Sequence, residues 1–173
     1  MADMLQVNRA LTVLNLADNH IGGHYIKQDD VEGSSFKVGD AVRWNGMAGT
    51  ISKEKESDGK IFVHFQQGIQ AIAQALKVNR ALKSANLGMN NIGDEGAIAI
   101  SAALESNNML TETDLTARQG SVKIGPAGAQ AIAKMLAVNR ALNSVDLRFN
   151  QIPGEGKQQL RDAVKGKNTS LQM

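Results

Sequence analysis

Cysteine is absent from the 173-residue sequence, and it contains few aromatic residues and prolines. Without cysteine the chain can form no disulfide, no thiolate nucleophile and no cysteine-based zinc site, and this composition fits a reducing compartment. No window approaches the roughly 20 apolar residues of a membrane span. The N-terminal MADMLQVNRALTVL lacks a basic segment followed by a continuous apolar stretch. We therefore expect an intracellular, cytoplasmic protein that does not enter the membrane.

A strong charge of one sign is also missing. The sequence has 19 Lys and Arg against 17 Asp and Glu, a formal net charge of +2. A nearly neutral chain has no overall field that attracts polyanions or an anionic membrane surface. The overall charge therefore gives no support for nucleic acid or a membrane surface as the partner.

The residue sets that carry catalysis are absent too. A reaction needs a nucleophile with a base, a metal cluster or a phosphate-binding loop. His20 and His24 flank Gly22 and Gly23 with no helix to align them, and no glycine-rich run ends in Gly-Lys-Ser or Gly-Lys-Thr. We expect no catalytic residue, no metal site and no cofactor, so the chain is predicted not to be an enzyme.

What the sequence does contain is a repeat. VNRAL recurs at 7–11, 78–82 and 138–142, with a degenerate copy in SNNML. The helical patterns GIQAIAQAL, GAIAISAAL and GAQAIAKML follow three of the copies, with leucines at 76, 104 and 136 that set periods of 28 and 32 residues. A fixed period of this size is the signature of a solenoid, in which stacked units share one core.

One unit is predicted to be a short strand, a turn and a returning helix. In ALKSANLGMNNIG the inward positions are Leu82, Ala85, Leu87 and Ile92. The following helix carries its apolar stripe at Ala97, Ile100, Ala103 and Leu104. After three of the strands comes an asparagine that can bond to open backbone groups of the turn, and each helix has a glycine that permits a close or positive-φ approach. These recurring residues are Asn19, Asn90 and Asn150, and Gly68, Gly96, Gly128 and Gly156.

The pattern L-x-x-L-x-L-x-x-N-x-I-G, intact from Leu11 to Gly22, resembles the leucine-rich repeat. A 28-residue period with an α-helix is similar to the ribonuclease-inhibitor subclass of that family. The resemblance implies an α/β fold: a short right-handed horseshoe arc, with a parallel sheet on the concave face and helices outside. It also implies a scaffold for protein partners, without naming one.

The third copy departs from the pattern. Thr113 stands where a leucine belongs, Arg118 where the asparagine belongs, and RQGSVKI lengthens the turn. We expect a loosened strand end and a protruding loop. The loop is either a contact site or the result of drift in a degenerate repeat.

An insert interrupts the first repeat, so the sequence divides into 1–23, the insert 24–66, and 67–173. Alternation predicts strands at 41–44, 50–52 and 61–65, with turns at Asn45-Gly46 and Asp58-Gly59. VGDAVRWNG, GTI and DGKIFVHF resemble small SH3-like barrels of the Tudor or KOW kind. Such barrels bind peptides, modified side chains or nucleic acid. The insert has six Lys and Arg against seven Asp and Glu, and this balance argues against tracking phosphates. Trp44 is either a binding aromatic or part of the small core.

The outward strand positions predict a binding face. They stack in three rows: Val13, Ser84, Glu112 and Ser144; Asn15, Asn86, Asp114 and Asp146; and Ala17, Gly88, Thr116 and Arg148. The face is small, polar and increasingly acidic toward the C-terminus, which suits a basic segment of a partner. The alternative is a merely solvated sheet. We predict that partners bind at Asn15, Asn86, Glu112, Asp114, Asp146, Arg148 and Trp44.

The terminal repeats carry no polar caps. We therefore expect either a trimmed descendant of a longer array or a chain whose ends are covered by a partner or by self-association, as in a subunit of a larger assembly. The main hypothesis is a protein-interaction scaffold acting through the concave face, the insert or both. Alternatives are a GTPase-activating or inhibitory factor, and nucleic-acid or modified-peptide binding by the insert.

Overall fold

A computed structural model describes residues 10–19, 21, 23–27, 41–44, 47–53, 60–64 and 66–173. Within these ranges the elements follow one another as β1 (Val13–Asn15), β2 (Gly23–Lys27), β3 (Ala41–Trp44), β4 (Met47–Lys53), β5 (Lys60–His64), α1 (Gln66–Val78), β6 (Ser84–Asn86), α2 (Gly93–Ser106), β7 (Glu112–Asp114), α3 (Pro126–Val138), β8 (Ser144–Asp146), α4 (Gly154–Val164) and β9 (Ser170–Gln172). None of the described helices combines the length and apolarity that a membrane crossing requires.

Five short strands form one parallel sheet in the order β1-β6-β7-β8-β9. The register places Ser84 beside Glu112, 28 residues later, and the next strand follows after 32 residues. Parallel strands need crossover connections, and here the helices supply them. The predicted solenoid and both of its periods are confirmed.

The core lies between this sheet and the helices. The four inward positions of the second repeat, Leu82, Ala85, Leu87 and Ile92, are all buried. The predicted helical stripe, which runs from Ala97 to Leu104, is buried as well. The apolar side chains of neighbouring repeats form one continuous cluster, so each unit completes the core of the next.

The edge where strands end and helices begin is called here the upper edge, and an amide ladder runs along it. Asn90 donates from Nδ2 to the carbonyl of Leu16 (2.6 Å) and accepts the amide of Asn19 at Oδ1 (2.8 Å). Asn150 bonds to the carbonyl of Leu115 in the same way (2.9 Å). The predicted role of the repeated asparagine is confirmed.

The edge where helices end and strands begin, the lower edge, carries a second amide ladder that the sequence analysis missed. Asn107 donates to the carbonyls of Leu76 (2.6 Å) and Asn79 (3.2 Å), and its Oδ1 accepts the amides of Met109 and Leu110. Asn139 repeats these contacts one unit later. In the last unit Lys167 Nζ takes the place of the amide and donates to the carbonyls of Leu136, Ala137 and Asn139.

Each helix approaches its own repeat closely through a glycine in its first turn. A Cβ at Gly68 would lie 2.7 Å from the carbonyl oxygen of Ile21, and one at Gly128 would lie 2.7 Å from Ile124 Cγ2. The predicted close approach is therefore confirmed. The alternative expectation of positive φ at these glycines is wrong, because the left-handed backbone occurs at Gly93 instead (φ 61°). Ile21 and Gly68 meet although the insert separates them in sequence.

The third repeat is better ordered than its sequence suggests. β7 pairs in register with β6 and β8, and the amide of Ala117 still donates to the carbonyl of Arg148 (3.2 Å). The expected loosening of the strand end is wrong. The longer turn is held by Asn91 Oδ1, which accepts the amide of Val122 (3.0 Å), and by Ser121 Oγ, which accepts the amide of Arg118 (3.1 Å).

The insert contains a four-stranded antiparallel sheet in the order β2-β5-β4-β3. The three predicted strands are confirmed, and β2 is a strand that the alternation pattern did not reveal. Trp44 pairs with Met47 on either side of the predicted Asn45-Gly46 turn. That turn and the one at Asp58-Gly59 lie outside the described residues. Ile51 and Val63 are buried, and β4 contacts α1.

Candidate functional site

The sheet face that points away from the helices, here called the strand face, carries the three predicted rows. Backbone pairing aligns Val13, Ser84, Glu112 and Ser144 as predicted and extends this first row to Ser170. The second row continues to Gln172 in the same way. Backbone hydrogen bonds between neighbouring strands reach the third row as well. The structure therefore brings together all the predicted site residues outside the insert.

The first row is free to bind. Its side chains form no hydrogen bond or ion pair with other described residues, and the side chain of Val13 is 59% exposed. Glu112 is exposed in the middle of the row, between Ser84 and Ser144. A partner can reach this carboxylate without breaking a contact within the described part of the protein.

The second row is partly occupied by the protein itself. Each residue from Asn15 to Asp146 accepts, at Oδ1, the backbone amide two positions further on, at 2.9–3.0 Å. These bonds satisfy amides that the ends of such short strands leave open. In this row, substitutions would disturb the turn as well as any partner.

Asp114, in the second row, packs against Gly88, which belongs to the third row of the preceding repeat. A Cβ at Gly88 would come within 2.9 Å of Asp114 Oδ1 and 2.5 Å of Thr116 Oγ1. Only glycine leaves space for both side chains. The small residue at 88 therefore allows the carboxylate of Asp114 to lie on the face.

We expected the strand face to become more acidic toward its C-terminal end, but the negative charge there is paired. Arg148 binds Asp146 in a bidentate pair, from Nε to Oδ1 (3.0 Å) and from Nη2 to Oδ2 (2.6 Å). This hydrogen bond, with the nearby charge, raises the pKa of Arg148 above its ordinary value. Because the two charges offset each other, the unbalanced negative charge of the rows lies at Glu112 and Asp114.

The upper edge of the strand face carries an ion pair and two exposed apolar side chains. Arg118 Nη1 lies 2.5 Å from Asp18 Oδ1, joining the third repeat to the first. Met89 and Phe149 are 40% and 67% exposed and adopt left-handed φ values of 61° and 66°. The sequence could have indicated this position, because both residues directly precede the ladder asparagine.

The convex side of the solenoid offers a hollow of about 430 Å³ between α1 and α2, lined mainly by glutamine and alanine side chains. Most of the lining side chains are alanines, so the hollow presents few groups that could orient a ligand. The hollow is lined by helix residues alone, and the strand face remains the better candidate because it is continuous and carries unbalanced charge.

Trp44 is the predicted site residue that does not join the rows. It lies in the insert, and its side chain is outside the described part of the structure. Its register position falls on the same face of the four-stranded sheet as Ile51 and Val63, both buried. Both alternatives for Trp44, a binding aromatic or a part of the small core, stay predictions.

Comparison with known proteins supports the architecture. A family model described as "Leucine Rich repeat" matches residues 7–23 and 78–101. Among solved structures, the chain titled "Leiomodin-1 Actin-Binding Site 2 (ABS2)" is similar at 15% identity with a TM-score of 0.62, covering 99% of this chain and 75% of that one. No curated protein gave a match. At this identity the likeness concerns the fold, and with the stacked strand–helix units it shows a leucine-rich-repeat α/β solenoid.

Proposed function

We propose that the chain is a non-catalytic scaffold that binds a protein partner through the strand face. The observation that carries the proposal is the free first row, which is continuous across five strands and has Glu112 at its centre. A flat face of short side chains suits another protein's surface better than a small molecule. Unbalanced carboxylates at Glu112 and Asp114 favour a basic segment of that partner.

The similar solved structure is named for actin binding, so actin is the first partner to test. The likeness is one of fold, and the proposal does not depend on actin. The repeat length and the helix in every described unit further support placing the chain in the ribonuclease-inhibitor-like subclass.

Substitutions in the first row test the proposal without disturbing the turns. A variant with Ser84→Arg, Glu112→Lys and Ser144→Arg changes side chains that bond to no other described residue. The matched control carries Gln74→Arg, Glu105→Lys and Gln130→Arg, which make the same charge changes on exposed helix positions. Both variants and the wild type are used in affinity capture from lysate, read by mass spectrometry, and in co-sedimentation with actin filaments.

We expect at least one partner to be lost from the first-row variant and kept by the control, with roughly a tenfold or greater loss of affinity on direct titration. Equal partner lists for all three proteins would rule out binding through the strand face.

The insert is proposed as a second, independent module at 24–66 with an SH3-like fold and with Trp44 as a candidate contact. Two observations support a module that leaves the repeat intact. The strands of the insert form their own antiparallel sheet, and Ile21 and Gly68, which flank the insert, lie close together.

Regulation of a GTPase remains an alternative. Such a role often uses an arginine that reaches a partner's nucleotide. On the strand face Arg148 is held by Asp146, so a regulator acting here would have to break that pair. This requirement favours the scaffold role over regulation of a GTPase.

A further inference from the structure

The repeated motif VNRAL contains two positions that the fold does not explain. In the two copies that the structure describes in full, the asparagine forms the lower-edge ladder and the leucine is buried in the core. The valine and the arginine, in contrast, are exposed. Val78 is 49% exposed and Val138 is 60% exposed, and both Arg80 and Arg140 are exposed as well.

The valine and the arginine stay the same where the residues that flank the motif differ. The position before the motif is Gln6, Lys77 or Ala137, and the position after it is Thr12, Lys83 or Asn143. Helix stability does not account for the valine, because a β-branched residue at an exposed helix end is a poorer helix former than alanine or lysine. A contact with another molecule explains both residues better than the fold does.

The lower edge is also strongly basic. Between the last turn of each described helix and the next strand, at 75–83, 103–111, 135–143 and 161–169, there are seven Lys and Arg against two Asp and Glu. These stretches carry a net charge of +5 in a chain whose net charge is +2. Cations in a last helical turn, such as Lys77 and Arg161, offset the partial charge of the carbonyls there. Arg80 and Arg140 lie beyond the helix ends, where this effect fades.

Both arginines are accessible to a ligand. Arg140 forms no hydrogen bond or ion pair with any described residue, and Arg80 reaches the carbonyl of Ser106 only at 3.5 Å. A hollow of about 380 Å³ lies beside Arg140, with Asn143 and Lys167 in its lining. Lys167 already donates to three carbonyls. Arg140 is therefore the cation that can receive a carboxylate in this hollow.

We propose that the exposed valines and arginines of the motif, Val78, Arg80, Val138 and Arg140, bind an acidic and apolar segment of a partner protein. Arginine binds carboxylates in a bidentate geometry, and each valine offers an apolar contact beside it. Two helix-to-helix steps of about 8–10 Å separate α1 from α3, so an extended segment of about six residues can join the two sites. This contact is separate from the strand face and does not rest on it.

A nucleic acid would use the arginines but would gain little from the valines. Bases stack on aromatic side chains, and the four lower-edge stretches contain no aromatic residue. The pairing of each exposed arginine with an exposed valine therefore favours a peptide that carries both carboxylates and apolar side chains.

The test uses the full chain and a fluorescein-labelled 12-residue peptide, titrated by fluorescence anisotropy. The peptide has two leucines six positions apart, each between two glutamates. Two comparison peptides replace the leucines by serine or the glutamates by lysine. We expect the acidic and apolar peptide to bind at least about tenfold more tightly than either, and to bind more weakly at 500 mM than at 50 mM salt.

The contribution of charge is tested with a matched pair of variants. Arg80→Gln with Arg140→Gln should weaken binding about tenfold, because two exposed ion pairs with the peptide are lost. Lys123→Gln with Lys134→Gln removes the same charge elsewhere on the solenoid and should leave binding within about twofold. Thermal unfolding should shift by no more than about 3 °C in either variant, which checks that the fold is kept.

The apolar contribution is tested in the same way. Val78→Ala with Val138→Ala should weaken binding about fivefold, because apolar area at the contact is lost. Met89→Ala with Ile98→Ala removes exposed apolar side chains away from the lower edge and should leave binding unchanged.

The proposal is overturned if the acidic and apolar peptide does not bind, if it binds no more tightly than the serine peptide, or if both charge variants lose binding equally. Equal competition by a 12-nucleotide single-stranded DNA would overturn it and assign the lower edge to nucleic acid. Self-association of the wild type that is lost in the double arginine variant would assign the edge to a second copy of the chain instead.

Discussion

The two edges of the solenoid use the same residue, asparagine, with different regularity. On the lower edge, Asn79, Asn107 and Asn139 accept the amides two and three positions further on, and Lys167 completes the series. On the upper edge the ladder is interrupted where Arg118 replaces the asparagine and turns toward Asp18. The lower edge keeps a side-chain donor to the helix-end carbonyls even where lysine replaces asparagine, whereas the upper edge loses its ladder contact at Arg118.

The difference explains where the sequence changes length. Both the insert and the longer third-repeat turn occur between a strand and the next helix, which is the upper edge. The lower edge holds buried carbonyls at helix ends, and these have no room for extra residues without losing their partners. Stacking is therefore fixed at the lower edge, while the upper edge can acquire new surfaces.

Removing one rung of each ladder gives the largest expected effect. Asn107→Ala leaves two buried carbonyls and two amides without their partner, so we expect the free energy of unfolding to fall by about 4 kcal/mol or more. Asn150→Ala, at a less buried site on the upper edge, should cost about 2 kcal/mol. Urea unfolding followed by circular dichroism measures both.

Asn108→Ala is the control, because Asn108 is exposed beside Asn107, and it should change stability by no more than about 0.5 kcal/mol. If Asn107→Ala and Asn150→Ala were equally mild, the lower edge would not be the edge that fixes stacking.

At the upper edge, the glycine in the first helical turn is a position where a larger side chain does not fit. Gly128→Ala would place a Cβ 2.7 Å from Asp94 Oδ1 and 3.0 Å from Ala97 Cβ, and should cost about 2 kcal/mol through overpacking. Gly154→Ala meets nothing within 4 Å and should be neutral or slightly stabilising. Thermal unfolding measures the stability of both variants. A loss in Gly128→Ala alone shows that the close approach at Gly128, and not the added methyl group in general, causes the destabilisation.

In the sheet, between the two edges, the third repeat has a buried polar group that a substitution can remove. The hydroxyl of Thr113 is buried and finds no hydrogen-bond partner among the described residues. Thr113→Val keeps the shape and should raise the free energy of unfolding by about 1 kcal/mol. Thr111→Val serves as the control, because it removes an existing bond to the carbonyl of Lys83 and should not stabilise. A loss of stability in Thr113→Val would mean that the hydroxyl is satisfied.

Exchanging the insert for a short turn should have the smallest effect. Gly-Asp-Glu joins Ile92 to Gly96 in the second repeat, so the same three residues can replace 22–67 between Ile21 and Gly68. We expect unfolding to remain cooperative, with stability changed by less than about 1 kcal/mol, in chemical denaturation. Loss of cooperativity would show that the insert supports the solenoid core.

Local patterns predicted the strands of the solenoid, the two periods and the rows, because burial in a repeat follows the spacing of its apolar residues, but they missed β2 of the insert. Arg118 and Asp18 are 100 residues apart, and no local pattern connects them. The pairing of Arg148 with Asp146 was also missed, since it depends on the rotamer of a long side chain. Asn107 could have been found, because it matches the asparagine of VNRAL in the degenerate copy SNNML.

The contact between Ile21 and Gly68 has a consequence for how this protein could evolve. The chain leaves and rejoins the solenoid at neighbouring atoms, so the ends of any inserted segment are already held together. The entropy of closing such a loop grows only slowly with its length. Recombination at this position could therefore exchange one module for another and give the same scaffold a different ligand without redesigning its core.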